Sequence, residues 1–216
     1  QEMDIQQLIE TMGRKARNAA AALAVLKPED KNRALRCMAD AFLSHRDEIK
    51  IENQKDMNAG EDKGLSKAML DRLLLNDKRI DEMAQALRAV AELDDPVGEI
   101  FDMRVRPNGI KIGRMRCPIG VIGIIYESRP NVTADAACLC VKSGNAVILR
   151  GGSEAINSNR ILARLMSEAG IASGLPEGSV QLVDTVDRAA VTALLHANQY
   201  IDLIIGFFDN LKLYTP

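Results

Sequence analysis

Between Ile119 and Ile205 short, uninterrupted apolar runs alternate with helix-length segments, and this alternation constrains the fold more than any other feature of the chain. Val121-Ile122-Gly123-Ile124-Ile125 and Ala146-Val147-Ile148-Leu149 have no polar face, as expected of strands covered on both sides. Val180 to Val183 and Tyr200 to Ile205 read as a third and a fourth strand. A helix is expected from Asn131, as N-cap, to about Val141, with Gly144 closing it. A second runs from Gly151-Gly152-Ser153 to about Ala172, and a third from Asp187 to Ala197. Strands and helices in regular alternation predict an α/β fold with a parallel, doubly wound sheet.

The preceding residues follow other periods. Residues 1–95 read as helices, with apolar side chains at i, i+3 and i+4 in Ile5, Leu8, Ile9, Met12 and Ala16, and again in Leu35, Met38, Ala39 and Phe42. Pro28 suits a first helical turn, Ser66 an N-cap, and Asn76 or Asp77 the cap of a helix carrying Ile80, Met83, Ala84, Leu87 and Val90. Residues 96–118 alternate as a hairpin does around the turn Pro107-Asn108-Gly109, with a bulge expected at Gly113 where the phase flips. Residues 104–116 hold five cations and no acid. That charge is either one solvated face of an exposed hairpin or part of an element that pairs with another subunit.

The 216 residues are 47% hydrophobic and 27% charged, enough for a sizeable core, which excludes a disordered or low-complexity chain. A net charge of −2 gives no bulk attraction for nucleic acid. No run approaches the ~18 apolar residues of a membrane span, and the charge-rich start is unlike a secretory signal. The four cysteines, Cys37, Cys117, Cys138 and Cys140, are not spaced as disulfide pairs, and with only His45 and His196 beside them they form no metal motif. A cytoplasmic protein is expected, with reduced thiols and with Cys37, Cys138 and Cys140 buried.

In such sheets ligands bind beyond the carboxyl ends of the strands. Two loops lie there: Glu127-Ser128-Arg129-Pro130-Asn131 and Arg150-Gly151-Gly152-Ser153. The glycines permit close backbone approach, the next helix N-terminus favours an anion, and Arg150 adds a fork of donors. Ser153 carries no charge that would repel an extra phosphate, whereas an acid there would favour a ribose diol. An ordinary strand–helix turn with Ser153 as N-cap fits equally well. Arg129 suits either a carboxylate or phosphate ligand or nearby backbone carbonyls. No G-x-G-x-x-G follows the first strand.

The stretches from Cys117 to Thr133 and from Lys142 to Glu154, with Gly64 to Leu73 and Asp95-Pro96-Val97-Gly98, closely resemble gamma-glutamyl phosphate reductase, also called glutamate-5-semialdehyde dehydrogenase, of the aldehyde dehydrogenase superfamily. The resemblance spans about residues 3–205. It implies an aldehyde dehydrogenase-like fold: a helical N-terminal part of the cofactor-binding domain (1–95), an oligomerisation hairpin (96–118) and a Rossmann-like NADP-binding unit (119–205). It implies NADPH-dependent reduction of gamma-glutamyl phosphate to glutamate 5-semialdehyde and phosphate in proline biosynthesis. In that family a cysteine thiolate attacks the acyl phosphate and the thioester then takes hydride. By the same resemblance Arg150, Gly151, Gly152 and Ser153 hold the adenosine ribose and its 2′-phosphate. Glu127, Ser128, Arg129 and Asn131 border the nicotinamide and substrate. The chain is expected to form a homo-oligomer through residues 97–117 and to exchange its substrate with glutamate 5-kinase.

After Ile205 the resemblance stops. Residues 206–216 look like a foreign tail, and no segment matches the family's catalytic domain with its nucleophilic cysteine. The reading is therefore a truncated, inactive N-terminal half of the enzyme, with an NADP(H)-binding or oligomerising half-protein as the alternative.

Overall fold

The structure, a computed structural model, describes residues 4–127 and 129–207. Five helices come first: α1 (Ile5–Leu23), α2 (Pro28–Ser44), α3 (Arg46–Asp62), α4 (Lys67–Leu73) and α5 (Asp77–Glu92). A hairpin of β1 (Ile100–Val105) and β2 (Lys111–Met115) follows. The remainder is β3 (Val121–Tyr126), α6 (Asn131–Lys142), β4 (Ala146–Arg150), a 3-10 turn at Ser153–Ala155, α7 (Ile156–Ala172), β5 (Val180–Leu182), α8 (Ala189–His196) and β6 (Leu203–Phe207).

The expected parallel sheet is present, in the order β5-β4-β3-β6. Every side chain of β3 and β4 is buried, which is why both strands tolerate no polar alternation. α1 packs on the sheet beside α8; α6 and α7 pack on it too, with α2 stacked behind them. Two polar ties bind the layers. Arg17 on α1 clamps Asp202 with Nη1 at 2.6 Å and Nη2 at 2.8 Å, while the Val121 amide donates to the same carboxylate. Lys31 on α2 meets Asp95 at 2.6 Å, both side chains being almost wholly buried.

Ser66 and Asn76 are the caps of α4 and α5, accepting from the Met69 and Arg79 amides. Asn131 is not a cap. It is the first residue of α6, after Pro130, and its amide donates to Asp135 at 3.0 Å. The fourth strand begins at Leu203, later than expected, because Asp202 is held by Arg17 and Val121.

The hairpin forms, but its irregularity lies on the other strand. Phe101 pairs with Arg114 and Arg104 with Ile112, so Asp102 and Met103 together oppose Gly113. Asp102 takes a φ of 53°, and the Met103 side chain fills the space a Cβ on Gly113 would need. The extra residue is thus on β1 and the glycine accommodates it. Every residue of both strands is exposed, on both faces. The cations are partly answered from just outside 104–116: Asp102 meets Arg104 at 3.0 Å, and Glu99 meets Arg116 at 2.5 Å.

α3 carries a polar buried face. Ile49, Asn53, Asp56 and Gly60 are buried along it. Asn53 donates to the Leu73 carbonyl and accepts from the Leu75 amide, each at 2.8 Å. Asp56 accepts from the Ser158 amide (2.7 Å) and hydroxyl (2.6 Å) and from the Asn157 amide (3.2 Å) and side chain (2.8 Å). Asp56 is therefore the cap of α7, supplied from a distant helix. Ser153 makes no capping bond, contrary to the ordinary-turn reading.

Candidate functional site

The loops after β3, β4 and β5 converge at the carboxyl ends of those strands, as parallel-sheet geometry requires. They enclose a crevice of about 260 Å³. Its apolar walls are Met69, Ile125, Val186 and Val191; its polar rim includes Glu127, Arg150, Gly152, Ser153, Glu154 and Arg188. Four residues singled out from the sequence, Glu127, Arg150, Gly152 and Ser153, thus meet at one place.

Their roles differ from one another. Ser153 and Glu127 are exposed and available. Arg150 is buried and its fork is already engaged. Nη1 donates to the Gly151 carbonyl at 2.9 Å and Nη2 to the Val186 carbonyl at 3.2 Å, so it fastens the β4 loop to the β5 loop. Its Nε is buried without a partner among the described residues. Gly151 turns its bare Cα inward. A Cβ there would lie 2.1 Å from Asn159 Nδ2 and 3.1 Å from Tyr126 Cε2, so this glycine serves packing. Beneath it lies a buried chain of hydroxyls: Tyr126 shares a 2.6 Å hydrogen bond with Thr133, which donates to Asn159 Oδ1 at 3.0 Å. Since the Thr133 proton goes to Asn159, Tyr126 is the donor to Thr133; burial also holds its phenol well above the usual range.

The helix N-terminus expected to attract an anion is occupied by Asp56, which takes the Asn157 and Ser158 amides. Side chains on the rim can supply anion affinity in its place. Arg188 supplies one. It is exposed, lies on the β5–α8 loop and meets no acidic partner among the described residues. It was missed because only the first two strand-end loops were considered. Its position at the end of a third parallel strand was the available signal.

Arg129 and Asn131 do not face the crevice. They line a separate cavity of about 460 Å³ between the start of α6 and the α4–α5 corner. Ser128 lies outside the described residues, as do residues 208–216 of the tail.

None of the four cysteines resembles an activated nucleophile. Burial pushes the thiols of Cys138 and Cys140 up to about 12, so neither ionises near neutrality. Cys117 is exposed beside the hairpin, and Cys37, expected to be buried, is half-buried on the outer face of α2. No group of three His, Cys, Asp or Glu side chains among the described residues is placed to hold a metal ion. No helix among them is long and apolar enough to cross a membrane.

Residues 3–205 match the aldehyde dehydrogenase family model. The chain belongs to the aldehyde dehydrogenase family. Similar curated proteins include gamma-glutamyl phosphate reductase of Moorella thermoacetica, 57% identical over 94% of this chain and 49% of that protein. Among solved structures, gamma-glutamyl phosphate reductase of Thermotoga maritima is 41% identical, with a TM-score of 0.89 over 93% of this chain and 48% of that one. The yeast (Saccharomyces cerevisiae) protein of the same name is 33% identical with a TM-score of 0.86, over 97% of this chain and 52% of that one. The chain spans about half the length of the curated relatives it matches. The aldehyde dehydrogenase-like α/β fold expected from the sequence is therefore the observed one.

Proposed function

We propose that this chain is the cofactor-binding part of a gamma-glutamyl phosphate reductase and takes NADPH in the crevice at the ends of β3, β4 and β5. The observation that carries the reading is the convergence of the Arg150–Ser153 loop, Glu127 and Arg188 on one crevice in a chain 57% identical to such a reductase. The residues fit a dinucleotide. Val186 and Val191 offer apolar surface to a flat ring; Ser153 and Arg188 offer a neutral donor and a free cation to a ribose 2′-phosphate; Glu154 can accept from a ribose hydroxyl. Bound NADPH supplies hydride. Arg150 keeps the crevice at fixed width by joining two loops, and the apolar walls exclude water from the ring.

None of the four cysteines lines this crevice, so the residues gathered here serve cofactor binding and not the thiol step. The residue ranges given above for the helical part, the hairpin and the α/β unit stand as the proposed division. The exposed hairpin faces a second copy of the chain. The acyl phosphate must come from a kinase acting on a glutamate γ-carboxylate, which makes glutamate 5-kinase the partner class.

Fluorescence titration of the 216-residue chain tests the cofactor reading. NADPH is expected to bind more tightly than NADH, with about a tenfold loss of NADPH affinity in Arg188→Ala and a reversed preference in Ser153→Glu. Equal affinities of all three proteins for NADPH and NADH would remove the 2′-phosphate assignment.

A further inference from the structure

Asn108-Gly109 is the only asparagine–glycine step in the chain, and it stands at the exposed tip of the hairpin. The turn is closed by two backbone bonds of 2.8 Å: the Arg106 amide donates to the Ile110 carbonyl, and the Gly109 amide to the Arg106 carbonyl. The Asn108 side chain folds back along the turn, its Oδ1 accepting from the Ile110 amide at 3.2 Å. That bond carries the side-chain carbonyl over the Gly109 peptide unit, so Cγ is turned towards the Gly109 nitrogen. The Ile110 amide also polarises this carbonyl, and an oxygen that gains negative charge there has its donor in place.

Three further features favour attack by the Gly109 nitrogen on Cγ. Gly109 has a φ of 85°, and beyond its chain neighbours no atom lies within 4 Å of where a Cβ would stand, so nothing crowds the nitrogen. Arg106 and Lys111 flank the turn and meet no acid among the described residues. Their charge favours both the Gly109 amide anion and the oxyanion that follows. The bond that must open first, from Gly109 to Arg106, belongs to a ribbon with no covered face, where local opening costs little. Asn58 and Asn157 have none of these features. Both are held in helices, and the side-chain amide of Asn157 is engaged by Asp56.

We propose that Asn108 is a site of spontaneous covalent modification. The Gly109 nitrogen gives its proton to solvent and bonds to Cγ; the Cγ–Nδ2 bond breaks and ammonia leaves, closing a five-membered imide. Water then adds to one imide carbonyl and breaks its bond to nitrogen. The product is an aspartyl or isoaspartyl residue at position 108, with water exchanged for ammonia and nothing oxidised or reduced. It places a carboxylate between Arg106 and Lys111, in a stretch that otherwise holds five cations and no acid. The isoaspartyl form also lengthens the main chain of the turn by one atom. The charge of the hairpin tip thus falls with the age of the molecule, without an enzyme.

Peptide mass spectrometry of the folded 216-residue chain, sampled through a prolonged incubation, tests the site. The tryptic peptide containing Asn108 is expected to gain about 1 Da, the difference between the water added and the ammonia lost. The gain should build up at least about tenfold faster than at Asn58 or Asn157. Gly109→Ala should slow it about tenfold, because a methyl group then stands beside the attacking nitrogen. Asn108→Gln, which would have to close a larger ring, should abolish it. Arg106→Gln combined with Lys111→Gln should slow it about threefold, and added salt should act in the same direction. Equal rates at Asn108 and at the helical asparagines overturn the proposal. So does an Asn108 that is stable in the folded chain and modified only in urea, because the native turn would then protect it.

Discussion

Gly151 shows how one residue in the strand-end loop answers to packing before ligand. Its missing Cβ makes room for Asn159 and Tyr126, both buried in the hydroxyl chain under the crevice. Gly151→Ala is expected to destabilise the chain by about 1–3 kcal/mol through overpacking, read as a lower denaturant midpoint at constant m. Gly109→Ala is the control. It has open space around it and only the strain of a φ of 85° to bear, so it should cost less. The loop's importance was legible in Arg150-Gly151-Gly152-Ser153, because two glycines after a buried strand announce a turn with close approach. What approaches was not legible: the neighbours of Gly151 sit 8 residues after it and 25 before it, and only folding brings them together.

Among the elements, β3 and β4 could be read from sequence because burial on both faces leaves an unbroken apolar run. α3 could not be delimited because its buried face is Asn53 and Asp56 as much as Ile49. Those polar side chains are satisfied by the backbone at Leu73 and Leu75 and by the first turn of α7, about 100 residues away, and no local period reports such partners. The same long reach explains why Ser153 looked like a cap and is not one. Asp56→Ala should therefore act on a helix it does not belong to. A loss of about 2–4 kcal/mol is expected, with hydrogen-exchange protection falling first at the start of α7. Asp56→Asn, which keeps an acceptor, should lose less.

Over the whole molecule, the apolar side chains left in water are concentrated on the hairpin. Ile100, Met103, Val105, Ile110, Ile112 and Met115 are each about half exposed or more. A two-stranded ribbon with no covered face gains little from burial within one chain, and a second copy is what would cover it. Light scattering after size exclusion is expected to show a concentration-dependent oligomer. Val105→Lys with Ile112→Lys should shift it to monomer with an unchanged melting temperature for the monomer. A wild type that remains monomeric at high concentration removes the hairpin from the assembly. The alternation of residues 100–115 disclosed a hairpin, yet its bulge was placed on the wrong strand. A phase flip marks where two strands fall out of step without saying which of them holds the extra residue.

The carboxylate of Asp56 at the head of α7 has a consequence for anything lying across the crevice. A helix whose positive end is answered from inside the protein offers no grip to a passing pyrophosphate. A dinucleotide would be held at its extremities, like a rope bridge anchored at both banks. Its middle would be free to flex, and the two halves of the ligand could change position independently. A fragment carrying only the 2′-phosphorylated adenosine end should then keep that end's share of the affinity, and lengthening it by the pyrophosphate alone should add little.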